Sequence, residues 1–225
     1  MDGILLVDKP AGWTSFDVVA KIRGIIKAKT GQKIKIGHTG TLDPAATGLL
    51  ILVLGKYTKR AGEFSKLDKT YETEVTLGSV SSTGDIEGEI VPRSTQQPPK
   101  SAVDAVLNTF LGEISQTPPQ YSAVKIDGQR AYKAARAGKA VAIEPRKVKI
   151  YSITDVKYDY PELSLTASVS SGTYIRSLAA DIGEKLGTGA YLSGLRRTQV
   201  GKFNLESAIK IDCPTTARIE GHLQK

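Results

Sequence analysis

Residues 37–48 read Gly-His-Thr-Gly-Thr-Leu-Asp-Pro-Ala-Ala-Thr-Gly, a run of small residues carrying one carboxylate, Asp43, and one imidazole, His38. The Asp43-Pro44 step biases Asp43 towards extended backbone. From Thr47 the chain enters Gly-Leu-Leu-Ile-Leu-Val-Leu-Gly, an apolar run of buried-strand length, so Asp43 is expected on a loop held by a rigid core. The flanking glycines and alanines let a ligand backbone approach closely. A carboxylate in such a place can act as a nucleophile or as a proton acceptor. Alone, an Asp-Pro pair reads instead as an Asx-turn or a helix cap. Two histidines and one cysteine, Cys213, are too widely separated to suggest a metal site.

The elements that must position this loop are legible in outline. Thr14 followed by Asp17 makes a capping arrangement for a helix with Val18, Val19, Ile22, Ile25 and Ile26 on one face. Tyr71 to Leu77 alternates as a half-buried strand and stops at Gly78, which would let the Tyr71 ring project from a sheet edge. Ser101 and Asp104 open a helix through Ala102, Val106, Leu107 and Phe110. Residues 150–158 and 163–170 alternate around a short connection as two antiparallel strands, and 173–186 read as a helix closed by Gly187. The expected fold is α+β, a mixed but mostly antiparallel sheet flanked by helices. With 31 Lys and Arg against 23 Asp and Glu, the formal charge of +8 suits a polyanionic partner. One cysteine excludes an intramolecular disulfide, and the start of the chain lacks a signal-peptide pattern, so a cytoplasmic location is expected. The longest apolar run, Leu49 to Leu54, is too short to cross a membrane.

The loop resembles the sequence around the nucleophilic aspartate of the bacterial tRNA pseudouridine-55 synthases, the TruB family, whose motif reads G-H-T-G-x-L-D-P-x-A-T-G. The resemblance continues, in order, at 8–15 (Asp-Lys-Pro-Ala-Gly-Trp-Thr-Ser), Lys69-Thr70-Tyr71, 120–125 (Gln-Tyr-Ser-Ala-Val-Lys), 172–176 (Gly-Thr-Tyr-Ile-Arg) and 195–198 (Leu-Arg-Arg-Thr). Ser81, Thr83, Asp85 and Gly88 match the family's T-x-T-x-D-x-x-G pattern apart from Ser81, which keeps the hydroxyl.

The resemblance implies the pseudouridine synthase fold and isomerisation of the T-loop uridine (position 55) of tRNA to pseudouridine, with base flipping and no cofactor. Asp43 is then catalytic. Arg176 supplies a guanidinium that keeps the carboxylate ionised, although by itself it reads as a solvated arginine in the first turn of a helix, where a cation opposes the dipole. Tyr71 stacks on the uracil first and transfers a proton second. His38 fills the space the base vacates, and Leu195 makes an apolar contact beside the active site. Lys9, Tyr121, Lys125, Arg130 and Lys133 are assigned to RNA binding, the last four in an RNA-gripping thumb insertion at 119–146 that also carries Tyr132, Arg136 and Lys139; a solvated helix face is the plainer reading of that charge run. The chain is read as one catalytic domain over 1–225 with a short tail at 212–225 and no PUA-type domain. The expected partner is the tRNA T-arm, with no membrane, no obligatory protein partner and a monomeric state. Two alternatives stand beside this: a tRNA-binding folding helper, for which Asp43 would not matter, and a guide-RNA-dependent synthase of dyskerin type.

Overall fold

The chain runs β1 (Gly3–Lys9), α1 (Ser15–Thr30), β2 (Ile36–His38), β3 (Thr47–Leu54), α2 (Ala61–Ser65), β4 (Lys69–Leu77), β5 (Ser79–Ser81), β6 (Ile90–Pro92), α3 (Lys100–Asn108) and β7 (Gly112–Gln116). It continues through β8 (Lys125–Ile126), β9 (Gln129–Arg130), α4 (Ala131–Arg136), β10 (Arg146–Asp159), β11 (Glu162–Val169), α5 (Ile175–Lys185), β12 (Ala190–Val200), β13 (Phe203–Asn204), β14 (Ile209–Lys210) and α6 (Thr216–Gly221). This computed structural model describes residues 1–122, 124–126, 128–138, 141–211 and 216–224. The side chains of Lys125, Arg130, Tyr132 and Arg136, and all of Lys139 and Cys213, lie outside the described set, and with them the RNA contacts expected of Lys125 and Arg130.

Two compact units form. The first comprises Met1–Tyr71 and Leu195–Lys225, the second Glu72–Gly194. In the first, β1 and β3 pair antiparallel from Gly3↔Leu54 to Lys9↔Gly48, with β14 parallel on the far side of β1 and β12 parallel beside β3. Both faces of this pair are covered, which explains the uninterrupted apolar runs Ile4 to Val7 in β1 and Leu49 to Leu54 in β3. Leu5, Val7, Leu50, Leu52 and Leu54 pack with Val18, Val19, Ile22 and Ile26 of α1 and with Ile209 and Ile219. Ile4, Leu6, Leu49, Ile51 and Val53 face the other way, onto Phe64, Val200 and Phe203.

Helix α1 starts as its sequence dictates. The Thr14 hydroxyl accepts from the Asp17 amide while the Asp17 carboxylate accepts from the Thr14 amide, and Gly31, at φ 69°, closes the helix with its N–H on the Lys27 carbonyl. At the other end of the chain, α6 buries Ile219, and Gln224 exchanges two backbone hydrogen bonds with Ile4.

In the second unit the strand order is β4-β11-β10-β7, with β10 antiparallel to both of its neighbours. β5 and β6 form one small hairpin, β8 and β9 another. α3 and α5 touch, burying Val103, Leu107, Leu178, Ala179 and Ile182. α3 starts at Lys100, directly after Pro99, rather than at Ser101, because proline's fixed φ suits the residue just ahead of a helix. Antiparallel pairing predominates, as the sequence suggested. Among the described residues no helix is long and apolar enough to cross a membrane.

Ile22 is fully buried between α1 and the β1–β3 pair. Ile22→Ala should lower the unfolding free energy by about 2–4 kcal/mol. A urea titration that keeps one cooperative transition and moves its midpoint down checks this.

Candidate active site

The loop around Asp43 is irregular backbone, so its amides and carbonyls need partners other than a strand ladder. Asp43 and Pro44 open a turn in which the Ala46 amide donates to the Asp43 carbonyl at 3.1 Å. One residue earlier, Leu42 is fixed from both sides by the first residue of α1: its amide donates to the Ser15 hydroxyl at 2.9 Å, and that hydroxyl donates to the Leu42 carbonyl at 3.1 Å. One residue later, the Pro44 carbonyl accepts from the Gly12 amide at 2.9 Å and from the Lys9 ammonium at 3.2 Å. Asp43 itself is half-buried.

Lys9 corrects the sequence reading. Expected at the RNA, it has 0% exposure, and its ammonium donates to the carbonyls of Pro10, Trp13 and Pro44 at 2.9, 2.6 and 3.2 Å. Those acceptors belong to two separate stretches, so one cation ties the 10–14 segment to the Asp43 turn. It is scaffold, not surface.

The loop's two ends meet at Arg197. Its Nε donates to the Leu49 carbonyl at 2.7 Å and its Nη2 to the Gly40 carbonyl at 3.0 Å. Arg196, the adjacent residue of β12, points the other way: it is partly exposed, donating to the Asp8 carboxylate at 3.0 Å and to the Thr47 hydroxyl at 3.4 Å. Leu195 is half-buried and its carbonyl accepts from Thr47. His38 ends β2, opposite Leu52 of β3, and is half-buried. The first unit therefore gathers the Asp43 turn, His38 and Leu195 around the β3–β12 pair.

Tyr71 lies on the covered side of β4 with Lys69 and has 8% exposure, less than a ring projecting from a sheet edge would show. Lys69 is buried too, its ammonium bonded to the Ser65 and Leu67 carbonyls. Burial, and secondarily the positive charge of Arg197, push its pKa down to about 8.

In the second unit, Arg176 has 7% exposure rather than the solvated position its place in a helix suggests. Its guanidinium lies 3.4 Å from the Asp85 carboxylate and donates to the Thr83 and Tyr121 carbonyls at 3.1 and 2.7 Å. These acceptors compensate a cation in the first turn of α5, where the helix dipole opposes it. The Ser81–Gly88 motif is the holder of Asp85. The Thr83 hydroxyl donates to Oδ1 at 2.6 Å, the Glu87 amide to the same oxygen at 3.0 Å, and the Ser81 hydroxyl to the Asp85 carbonyl. Gly88 is obligatory there, since a Cβ would come within 2.5 Å of both the Ser81 and Thr83 hydroxyl oxygens.

Sequence reasoning missed Gln116. Buried, its side-chain amide pairs both ways with the backbone of Tyr174, at 2.8 and 3.1 Å, and so fixes the residue that precedes α5. Gln120 does the same to Val141, at 2.8 and 3.1 Å, joining the two ends of the 119–146 segment. Within that segment Lys133 is exposed and Tyr121 half-buried. A buried amide side chain reads in sequence like any polar loop residue, so no signal marked Gln116, whereas Gln120 opens the 120–125 block of the resemblance without a role of its own.

Comparison with known proteins supplies context for this geometry. The family description "TruB family pseudouridylate synthase (N terminal domain)" matches residues 24–175, and "tRNA pseudouridylate synthase B C-terminal domain" matches 176–213. Curated relatives called tRNA pseudouridine synthase B include those of Cupriavidus metallidurans, 48% identical over 93% of this chain, Burkholderia lata, 45% over 96%, and Thermobifida fusca, 43% over 94%. The chain spans 66% of the length of the first two relatives and 73% of the third. Among solved structures, a Cbf5-Nop10-Gar1 complex matches with TM-score 0.71 and 33% identity over 92% of this chain and 52% of that one. An H/ACA RNP bound to a substrate RNA containing 2′-deoxyuridine matches with TM-score 0.68 and 30% identity over 93% and 51%.

The Lys69 environment yields a pH signature. The folded chain releases this proton near pH 8 and the unfolded chain near 10.5, so between these values the unfolded state binds more protons and stability rises with pH. The unfolding free energy of the wild type should climb relative to that of Lys69→Met as pH goes from 8 to 10. Parallel curves for the two proteins would remove this account of Lys69.

Proposed function

Since the chain belongs to the TruB family of pseudouridylate synthases, we propose that it converts the T-loop uridine of tRNA, position 55, to pseudouridine through Asp43. The observation that carries the reading is the turn at Asp43. It lies in the family's own motif, and buried donors on Ser15, Lys9 and Arg197 hold the backbone around it. Preorganisation of this kind suits a group that must meet one atom of a flipped nucleotide.

The reaction cleaves the bond between ribose C1′ and uracil N1, turns the base while it stays bound, and joins C1′ to C5. Substrate and product are isomers, so no electrons are gained or lost and no cofactor is required. The Asp43 carboxylate attacks as a nucleophile or abstracts a sugar proton to give a glycal; both begin from the ionised form. Arg176 supplies the positive charge that favours that form, and Asp85 keeps Arg176 oriented. Tyr71 lies against the uracil. His38 and Leu195 contact the RNA from which the base is drawn, and Tyr121, Lys125, Arg130 and Lys133 contact it from the 119–146 segment, mostly at phosphates.

The guide-dependent alternative would draw on the likeness to the H/ACA RNP bound to a substrate RNA and to the Cbf5-Nop10-Gar1 complex, but at 30–33% identity against 43–48% for the tRNA enzymes the stand-alone reading is favoured. The two are separated by incubating the purified chain with an unmodified tRNA transcript and no guide RNA, then mapping pseudouridine by chemical labelling. Product at the T-loop uridine is expected, falling at least about a hundredfold in Asp43→Ala with RNA binding retained. Product independent of Asp43 would sink the reading, and product only with added guide RNA would transfer it to the guided class.

Two further outcomes follow from the same sites. Asp85→Ala leaves a buried guanidinium without this carboxylate and should cost about 3 kcal/mol of stability, together with a lower single-turnover rate; both are read on one protein preparation by denaturant titration and quenched-flow labelling. Binding of the tRNA should weaken steeply as salt rises, with nearly equal slopes for cognate and T-loop-substituted transcripts, because the contacts are mainly to phosphate. Filter binding across a salt series checks this.

A further inference from the structure

Arg197 is buried, with 2% exposure, and its fork reaches both ends of the Asp43 loop. Nε holds the Leu49 carbonyl at 2.7 Å and Nη2 the Gly40 carbonyl at 3.0 Å, bridging two carbonyls nine positions apart in sequence. The backbone is shaped to admit it. Gly48 pairs with Arg197 across the parallel β3–β12 contact at φ 99°, and a Cβ there would come within 2.3 Å of the Arg197 carbonyl oxygen. Gly40, at φ 144°, would place a Cβ 3.5 Å from Arg197 Nη1. Glycine at 48 lets β3 close on the Arg197 backbone, whereas at 40 the space would take a side chain and it is the positive φ that favours glycine.

As a stabiliser of a strand, this arginine is a poor choice. Burying a guanidinium carries a desolvation cost, apolar side chains of similar volume often serve as well, and the Lys69 ammonium feels its charge. What only arginine provides is a rigid planar fork with donors in divergent directions. Lysine, a point charge on a flexible stem, does not set the separation of two acceptors.

We propose that Arg197 is a positioning residue for Asp43: by bridging Gly40 and Leu49 it fixes the span of the loop and so the direction in which Asp43 is presented. The proposal rests on the reading of Asp43 as catalytic, and its test separates the two. Arg197→Met and Arg197→Lys are compared with wild type by amide hydrogen exchange at Thr39 to Thr47, with the amides of β1 as internal reference, and by single-turnover rate and dissociation constant for the tRNA transcript. In Arg197→Met the loop amides should exchange at least about tenfold faster while β1 is unchanged, the effect of losing one net hydrogen bond. The single-turnover rate should fall by at least about the same factor with RNA affinity within about twofold. Arg197→Lys should lie between the two proteins on both measures.

Loop exchange that stays at the wild-type rate in Arg197→Met overturns the proposal, as does acceleration spread equally over β1, which would mark general destabilisation. If Arg197→Met does not fold, Arg197→Lys decides, and wild-type exchange and rate in that variant count against the fork. Full activity in Asp43→Ala would instead remove the catalytic reading of Asp43, while the exchange data still decide whether Arg197 holds the loop.

Discussion

An irregular loop that turns its carbonyls inward needs donors in the core, and here cations provide them. Lys9 takes the Pro44 carbonyl of the loop together with two carbonyls of the 10–14 stretch, Arg197 takes Gly40 in the loop and Leu49 just beyond it in β3, and both side chains are removed from solvent. A water-exposed loop would satisfy the same groups without any of this machinery. The dry arrangement is costly in desolvation and gives up mobility in return. Everything attributed to Asp43 depends on that trade, because a carboxylate on a fraying loop would sample many directions and favour none.

The second unit solves a related problem by different means. Its cation, Arg176, starts a helix, where electrostatics are against it, and its setting is built from polar side chains at strand ends and turns: Thr83 and Ser81 hold Asp85, Asp85 faces Arg176, and Gln116 at the end of β7 holds the residue before the helix. In both units the regular elements supply rigidity, and the residues with chemical potential stand where the regular hydrogen-bond pattern stops. Side chains and buried charges then complete the backbone pairing that ladders and helices complete elsewhere.

This division explains what was legible in the sequence. α1 could be read because a capping box and a 3.6-residue apolar period act over a few residues, and β3 because a strand covered on both faces is apolar throughout. The turn at Asp43 was legible because proline and small residues constrain it locally. Lys9 was misread because its burial depends on Pro44, 35 positions away, and a lysine before a proline otherwise reads as surface. Arg196 and Arg197 are chemically alike neighbours. Which of them turns inward is set by the phase of β12 against β3, and a pair of arginines does not reveal it. Arg176 likewise reads as solvated until Asp85 and Tyr121, remote in sequence, are brought to it.

The connectivity of the first unit has a consequence for how the protein is made. Its central strands, β1 and β3, are synthesised early, yet β3 gains its neighbour β12, and β1 its neighbour β14, only after the whole of the second unit has been translated. Gly40 waits 157 positions for the guanidinium that receives its carbonyl. The second unit is contiguous and can fold as it emerges, whereas the first must hold two greasy strands in an unfinished state until the returning segment arrives. A nascent chain therefore carries an Asp43 loop that is still open, and its maturation is timed by translation itself.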